Sequence, residues 1–179
     1  MKVAVIGCTA SDIISSTRGT ISGLAKEGHN ISAIIAPSEP LETSLSFPST
    51  KEATNESLLS EIGVAQTLYI PTFDYSAITQ ANADAVNVHI KNILPSLVIM
   101  PSWKSHDHKR KILARVSLIA CRGIGTILMY EPDPANNTDF VPSVIFENSL
   151  SGSKTTDSEV IKEKFESHRT LLLEEDGLF

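Results

Sequence analysis

Apolar residues in this chain come in short unbroken runs rather than in strict alternation with polar ones. Lys2–Cys8 (KVAVIGC) is a β-branched run of the kind that forms a strand buried on both faces. Similar runs at Asn30–Ala36, Gln66–Ile70, Ser96–Met100 and Gly125–Tyr130 predict four further strands, and Pro142–Glu147 predicts a sixth. Helical spacing fills the intervals. A polar loop over Thr9–Thr17 leads into a helix carrying Gly19–Ala25 and closing at Gly28. Lys51–Ile62 is a second helix, stopped by Gly63, and Tyr75–Leu94 is a third, carrying Ile78 and Val88 among its apolar positions and ended by Pro95. Lys109–Cys121 is the fourth, and Asp157–Leu173 reads as a closing helix capped by Asp157 or Ser158. Pro37–Thr50 reads as a surface loop and Ser149–Thr156 as a polar linker.

Strands alternating with helices imply an α/β fold: a three-layer α/β/α sandwich around a Rossmann-like, mostly parallel sheet with right-handed crossovers. The expected organisation is a single domain over residues 1–179. Ligands of such sheets sit at the carboxyl ends of the strands. The two polar stretches that follow Lys2–Cys8 and Ser96–Met100 should therefore meet over one crevice.

Composition narrows the partners. A hydrophobic content of 41% with 20% charged residues is that of an ordinary globular chain. A net charge of −6, with no basic stripe, argues against nucleic acid. The one dense basic run, Lys109-Arg110-Lys111, reads as a solvated first helical turn. No run is long enough to span a membrane, and the first apolar run is too short and lacks the flanks of a signal peptide. Cys8 and Cys121 fall at element ends in predicted core, so both are expected to be reduced thiols of a cytoplasmic protein.

The loop Gly7-Cys8-Thr9-Ala10-Ser11-Asp12 lacks the glycines of a dinucleotide-binding turn, and no Walker-type Gly-Lys-Ser/Thr occurs. Ser105-His106-Asp107-His108 is the other chemistry-bearing stretch. Imidazole and carboxylate are ordinary zinc ligands, but alternate residues of an extended segment point to opposite sides. A helix N-terminus with Asp107 satisfying the dipole accounts for the same residues without a metal.

These stretches resemble the PIG-L/LmbE-like deacetylases. The family's first motif, Ala-His-Pro-Asp-Asp-Glu followed by Gly-Gly-Thr, is similar in position to Cys8–Ile13 with Arg18-Gly19-Thr20-Ile21. Lys26-Glu27-Gly28-His29, Glu61–Val64, Leu94–Pro101, Tyr130-Glu131, Phe140-Val141-Pro142 and Lys164–His168 also resemble family segments, in the same order. The second motif, His-Pro-Asp-His, appears as Ser105-His106-Asp107-His108. The resemblance implies zinc hydrolysis of N-acetylated sugars, with the metal on Thr9, Asp12 and His108, the general base at Ser11 and a proton-transfer histidine at Ser105. His168 corresponds to a late family histidine, and Lys51 to a family arginine.

The substitutions fall on the chemistry. A threonine hydroxyl is a poor zinc ligand, and a serine has no useful basicity near neutral pH. The expected reading is a degenerate deacetylase site that keeps a pocket for a small polar, sugar-like molecule, lined by Thr9, Ser11, Asp12, Arg18, Ser105, His106, His108 and His168. Arg18 is expected either to pair with Asp12 in place of a cation or to point to solvent. Two alternatives stand beside this. One is a metal-dependent hydrolase with zinc rebuilt on Asp12, His106 and His108, with Asp107 available for catalysis. The other is a non-catalytic subunit of a homo-oligomer or of a partner complex. Family members commonly continue past the position of Phe179, so part of the usual pocket wall is expected to be missing or supplied by a neighbouring subunit.

Overall fold

The computed structural model describes residues 1–37, 50–132, 142–149 and 160–168. Its elements run β1 (Lys2–Gly7), α1 (Ala10–Lys26), β2 (Asn30–Ile35), α2 (Thr50–Glu61), β3 (Gln66–Tyr69), α3 (Gln80–Ile93), β4 (Leu97–Pro101), α4 (His108–Ala120), β5 (Ile127–Tyr130), β6 (Val144–Ser149) and β7 (Val160–His168). They build one sheet in the order β3-β2-β1-β4-β5-β7-β6. The first five strands are parallel, and the apolar runs of β1, β4 and β5 suit strands covered on both faces. β7 runs antiparallel to β5, and β6 antiparallel to β7.

The pleat sends Ala4 and Ile6 to one face of β1, and Val3 and Val5 to the other, and all four are fully buried. On the first face they meet Val86, Ile90 and Ile93 of α3 and Leu113 and Val116 of α4. On the second they meet Ile13 and Ile21 of α1 and Leu59 of α2, together with Phe165 of β7. Two cores separated by one sheet give the expected three layers. Among the described residues no helix is long and apolar enough to cross a membrane. Gly63 ends α2 at φ +103, where a side chain would also strike Ala25, its Cβ only 2.3 Å from that of Ala25.

Four expectations need correction. The stretch Thr9–Thr17 is not a loop: Thr9 caps α1 by accepting the Asp12 N–H at 3.1 Å, and the helix starts at Ala10. Ile13, Thr17, Thr20 and Ile21 then form a buried stripe at helical spacing. The third helix starts later than Tyr75, at Gln80 behind the cap Thr79, and it leaves Ile78 and Val88 exposed. The closing helix is not formed where residues 160–168 lie, because they are β7. Glu163 and Phe165, two apart and both buried, show the period of a strand, and pairing with β5 fixes it. The proposed caps Asp157 and Ser158 lie outside the described residues, as do most of the Pro37–Thr50 loop, the Ser149–Thr156 linker and the loop over Asn136–Phe140.

β7 is bound to α1 by a charge. Both oxygens of the Glu163 carboxylate accept backbone N–H groups in the middle of α1, from Gly19 at 2.5 Å and Thr20 at 2.7 Å. The carboxylate is buried, its charge spread over two amide dipoles.

Candidate functional site

β1 leads through α1 toward β2 on one side, while β4 pairs with β1 on the other, so the chain reverses its direction of growth between β1 and β4. Ligands of open parallel sheets bind at this position. Three junctions converge there: Cys8-Thr9 before α1, Ser102–Asp107 before α4, and Glu131 after β5.

The β4–α4 junction is a tight turn. Ser102 is fully buried, its N–H donating to the Tyr130 carbonyl at 2.7 Å and its carbonyl accepting from the Ser105 N–H at 3.1 Å. Ser105 is 1% exposed; its hydroxyl accepts the Asp107 N–H at 3.3 Å and donates to the Glu131 carboxylate at 3.4 Å. Asp107 caps α4 by accepting the Arg110 N–H at 2.9 Å, as its position at a helix start suggests.

The charge at the centre of the crevice comes from a residue that sequence reasoning assigned to solvent. Nη2 of Arg110 lies 2.8 Å from Oδ1 of Asp12, an ion pair whose side chains are 24% and 14% exposed. Burial opposes the guanidinium charge. The Asp12 hydrogen bond and the fields of Asp12, Asp107 and Glu131 outweigh that cost and raise its pKa. Arg18, for which pairing with Asp12 and a solvent-facing position were both expected, stands midway along α1 and is exposed. A sequence signal for Arg110 did exist. A cation in the first turn of a helix opposes the macrodipole, and such a residue needs a carboxylate elsewhere.

Tyr75 walls the crevice from the neighbouring loop. Its carbonyl lies 3.1 Å from Nε2 of His108; since a carbonyl only accepts, that nitrogen carries the hydrogen. The Tyr75 hydroxyl donates to the Ala36 carbonyl and is also hydrogen-bonded to Cys8. Burial pushes the Cys8 thiol up to about 12, with the Tyr75 bond acting against that rise and the charges of Asp12 and Asp107 adding to it. The same burial, with the nearby thiol, raises the Tyr75 phenol.

The remaining expected site residues divide as follows. Asp12 and the Ser105–His108 stretch do come together at the crevice. Thr9, Ser11, His106, Asp107 and His108 are exposed at its rim. His168 ends β7, and its side chain lies outside the described residues. A cavity of about 550 Å³ is lined by Pro37, Thr72, Phe73, Asp74, Thr79 and Asn82. None of Thr9, Ser11, Asp12, Arg18, Ser105 or His108 borders it.

The positions that would hold zinc by resemblance carry other contacts in this structure. The Thr9 hydroxyl is engaged as a helix cap, Asp12 is paired with Arg110, and His108 has committed Nε2 to a carbonyl. Among the described residues no three His, Cys, Asp or Glu side chains are grouped to hold a metal ion.

No protein-family profile and no curated protein matches the sequence. Solved structures do. GalB, the 4-carboxy-2-hydroxymuconate hydratase of Pseudomonas putida KT2440, superposes with a TM-score of 0.61 at 13% identity, over 81% of this chain and 71% of GalB. A deacetylase of teicoplanin biosynthesis gives 0.64 at 12% identity, over 84% of this chain and 80% of the enzyme. The N,N'-diacetylchitobiose deacetylase of Pyrococcus horikoshii gives 0.59 at 15%, over 81% and 63% respectively. A hydratase and deacetylases share this architecture, so the fold by itself does not name a reaction. The chain has the fold of the LmbE/PIG-L-type deacetylases.

Proposed function

We propose that this chain is a ligand-binding domain on a deacetylase fold, without the standard zinc-dependent deacetylation. The observation that supports it is the 2.8 Å pair between Arg110 and Asp12, which engages the one carboxylate left of the family's first ligand motif. General-base and proton-transfer groups each contribute about 10²–10⁴-fold to such hydrolyses. Ser11 and Ser105 stand at those two positions, and the Ser105 hydroxyl is taken up between Asp107 and Glu131. The ligand in this reading is small and polar, of the size of a sugar. The cavity beside Phe73, Asp74 and Asn82 supports a place for it, offering one aromatic face and several polar groups in about 550 Å³.

The test is elemental analysis of the purified chain after incubation with excess zinc, alongside acetate release from N-acetylglucosamine and N,N'-diacetylchitobiose. The expected result is zinc well below one ion per chain and no acetate above background. One zinc per chain, lost in an Asp12→Ala/His108→Ala variant and accompanied by acetate release, would restore the hydrolase.

A further inference from the structure

Of the described residues that line the cavity beside Phe73, Asp74 alone is charged. Its backbone is clamped by one buried side chain. Asn82, in the first turn of α3, accepts the Asp74 N–H through Oδ1 at 3.2 Å and donates to the Asp74 carbonyl through Nδ2 at 2.6 Å. The position of the carboxylate is therefore set by α3 and not by a mobile loop backbone. Its Oδ1 accepts the Ser76 N–H at 2.8 Å. Hydrogen bonds from the Ser76 hydroxyl and N–H hold the carboxyl below its usual range, so it is ionised at neutral pH. Among the described residues no lysine, arginine or histidine forms an ion pair with it.

The rest of the wall is neutral. Phe73 is 8% exposed, and its ring packs on that of Tyr75 with 4.7 Å between centroids. Ala81 and Ala85, one turn apart, add the side of α3, while Thr72 and Thr79 supply hydroxyls. An anionic ligand would be repelled by the carboxylate, and a neutral one would gain only an uncharged donor there. The positive end of α3 opens on the same cavity at Thr79 and Ala81. That end disfavours a second cation and confines positive charge to the Asp74 side. We infer that the ligand of this cavity carries one cationic amine, bound by the Asp74 carboxylate, on a compact body that rests against Phe73, Ala81 and Ala85. The inference rests on the ligand-binding reading above and adds to it the charge of the ligand.

The experiment follows the backbone amide signals of the isotope-labelled full chain by NMR while four probes are titrated at a pH where the amines are protonated. The probes are two matched pairs, serinol with glycerol and benzylamine with benzyl alcohol, and within each pair an amine stands in place of one hydroxyl. Both amines are expected to shift the amides of Asp74, Thr79 and Asn82, and to bind about five-fold tighter than their neutral partners, the upper range for a single exposed ion pair. Asp74→Asn keeps an acceptor for the Ser76 N–H and removes only the charge. It should abolish the preference for amines and leave the binding of the alcohols unchanged. Equal binding of amine and alcohol in both pairs, or a preference that survives in Asp74→Asn, overturns the inference and leaves the ligand-binding reading standing. Amine-dependent shifts confined to the Asp12–Arg110 crevice, or none with either amine, overturn it too. Stoichiometric zinc on Asp12 with acetate release overturns the reading beneath it.

Discussion

The crevice between β1 and β4 and the cavity beside β3 and α3 are held in different ways. Charge of both signs lies in the crevice. Asp12, Asp107, Glu131 and Arg110 gather there, and an ion pair occupies its centre. The cavity contains the space, and its walls are held by neutral bonds. Asn82, 5% exposed, accepts the Asp74 N–H at 3.2 Å and donates to the carbonyls of Asp74 at 2.6 Å and Ala77 at 3.2 Å. A hydrolase needs room and reactive groups at one place, within hydrogen-bond reach of the same substrate atom. In this structure Asp12, Ser105 and His108 do not line the cavity beside Phe73.

The largest effect is expected on the ionic side. Arg110→Ala leaves Asp12 as a partly buried charge without its partner. Breaking such a pair costs about 3–4 kcal/mol, which lowers the melting temperature by on the order of 10 °C in calorimetry. Native-like stability would mean that the pair is not what fills the crevice.

Glu163 offers a control, a buried carboxylate served by two backbone amides. Glu163→Gln replaces an acceptor with a donor opposite the Gly19 and Thr20 N–H groups. It should cost about 2–3 kcal/mol in urea unfolding. An unchanged urea midpoint would mean that these amides do not hold β7 to α1.

On the neutral side, Asn82→Ala frees the loop that ends at Tyr75. It should cost about 2 kcal/mol and leave the salt dependence of unfolding unaltered. By contrast, the contribution of Arg110 should weaken somewhat as salt rises.

The smallest effect concerns Cys8, at the floor of the crevice. With its thiol near 12 and only 5% exposed, it should resist a thiol reagent at pH 8 in the native chain and react promptly in urea. Fast native labelling would describe an open crevice. The sign of the linkage follows from the same shift. The folded thiol holds its proton up to about 12 against 9.0 when exposed, so its contribution is intact below pH 9 and is lost as pH rises from 9 toward 12. Burial places Cys121 in the same position. A Cys8→Ala/Cys121→Ala variant should therefore show a flatter alkaline limb in its stability profile.

The parallel half of the sheet was legible in the sequence, because strands buried on both faces read as near-continuous apolar runs, as β1, β4 and β5 do. The antiparallel edge was not. In β7 the chain reads Val-Ile-Lys-Glu-Lys-Phe, where charges interrupt any simple alternation, and the buried member Glu163 is polar. Only its pairing with β5 and the amides of α1 reveals the period. The crevice was half legible. Asp12, Ser105 and His108 could be located from motif order, since a motif fixes positions along the chain. Arg110 could not, because the sequence leaves open which way a long side chain turns, and three consecutive basic residues suggest solvent. Glu131 was visible only as part of a resemblance, and its link to Ser105 depends on the neighbouring of β4 and β5.

The central claim is that Arg110, and not a metal, engages the Asp12 carboxylate. It is tested most directly by a crystal grown in millimolar zinc, with diffraction recorded at the zinc absorption edge. The account predicts the Arg110–Asp12 pair intact and no anomalous peak within about 3 Å of the Asp12 carboxylate. A peak shared by Asp12 and His108, with Arg110 turned out to solvent, would contradict it.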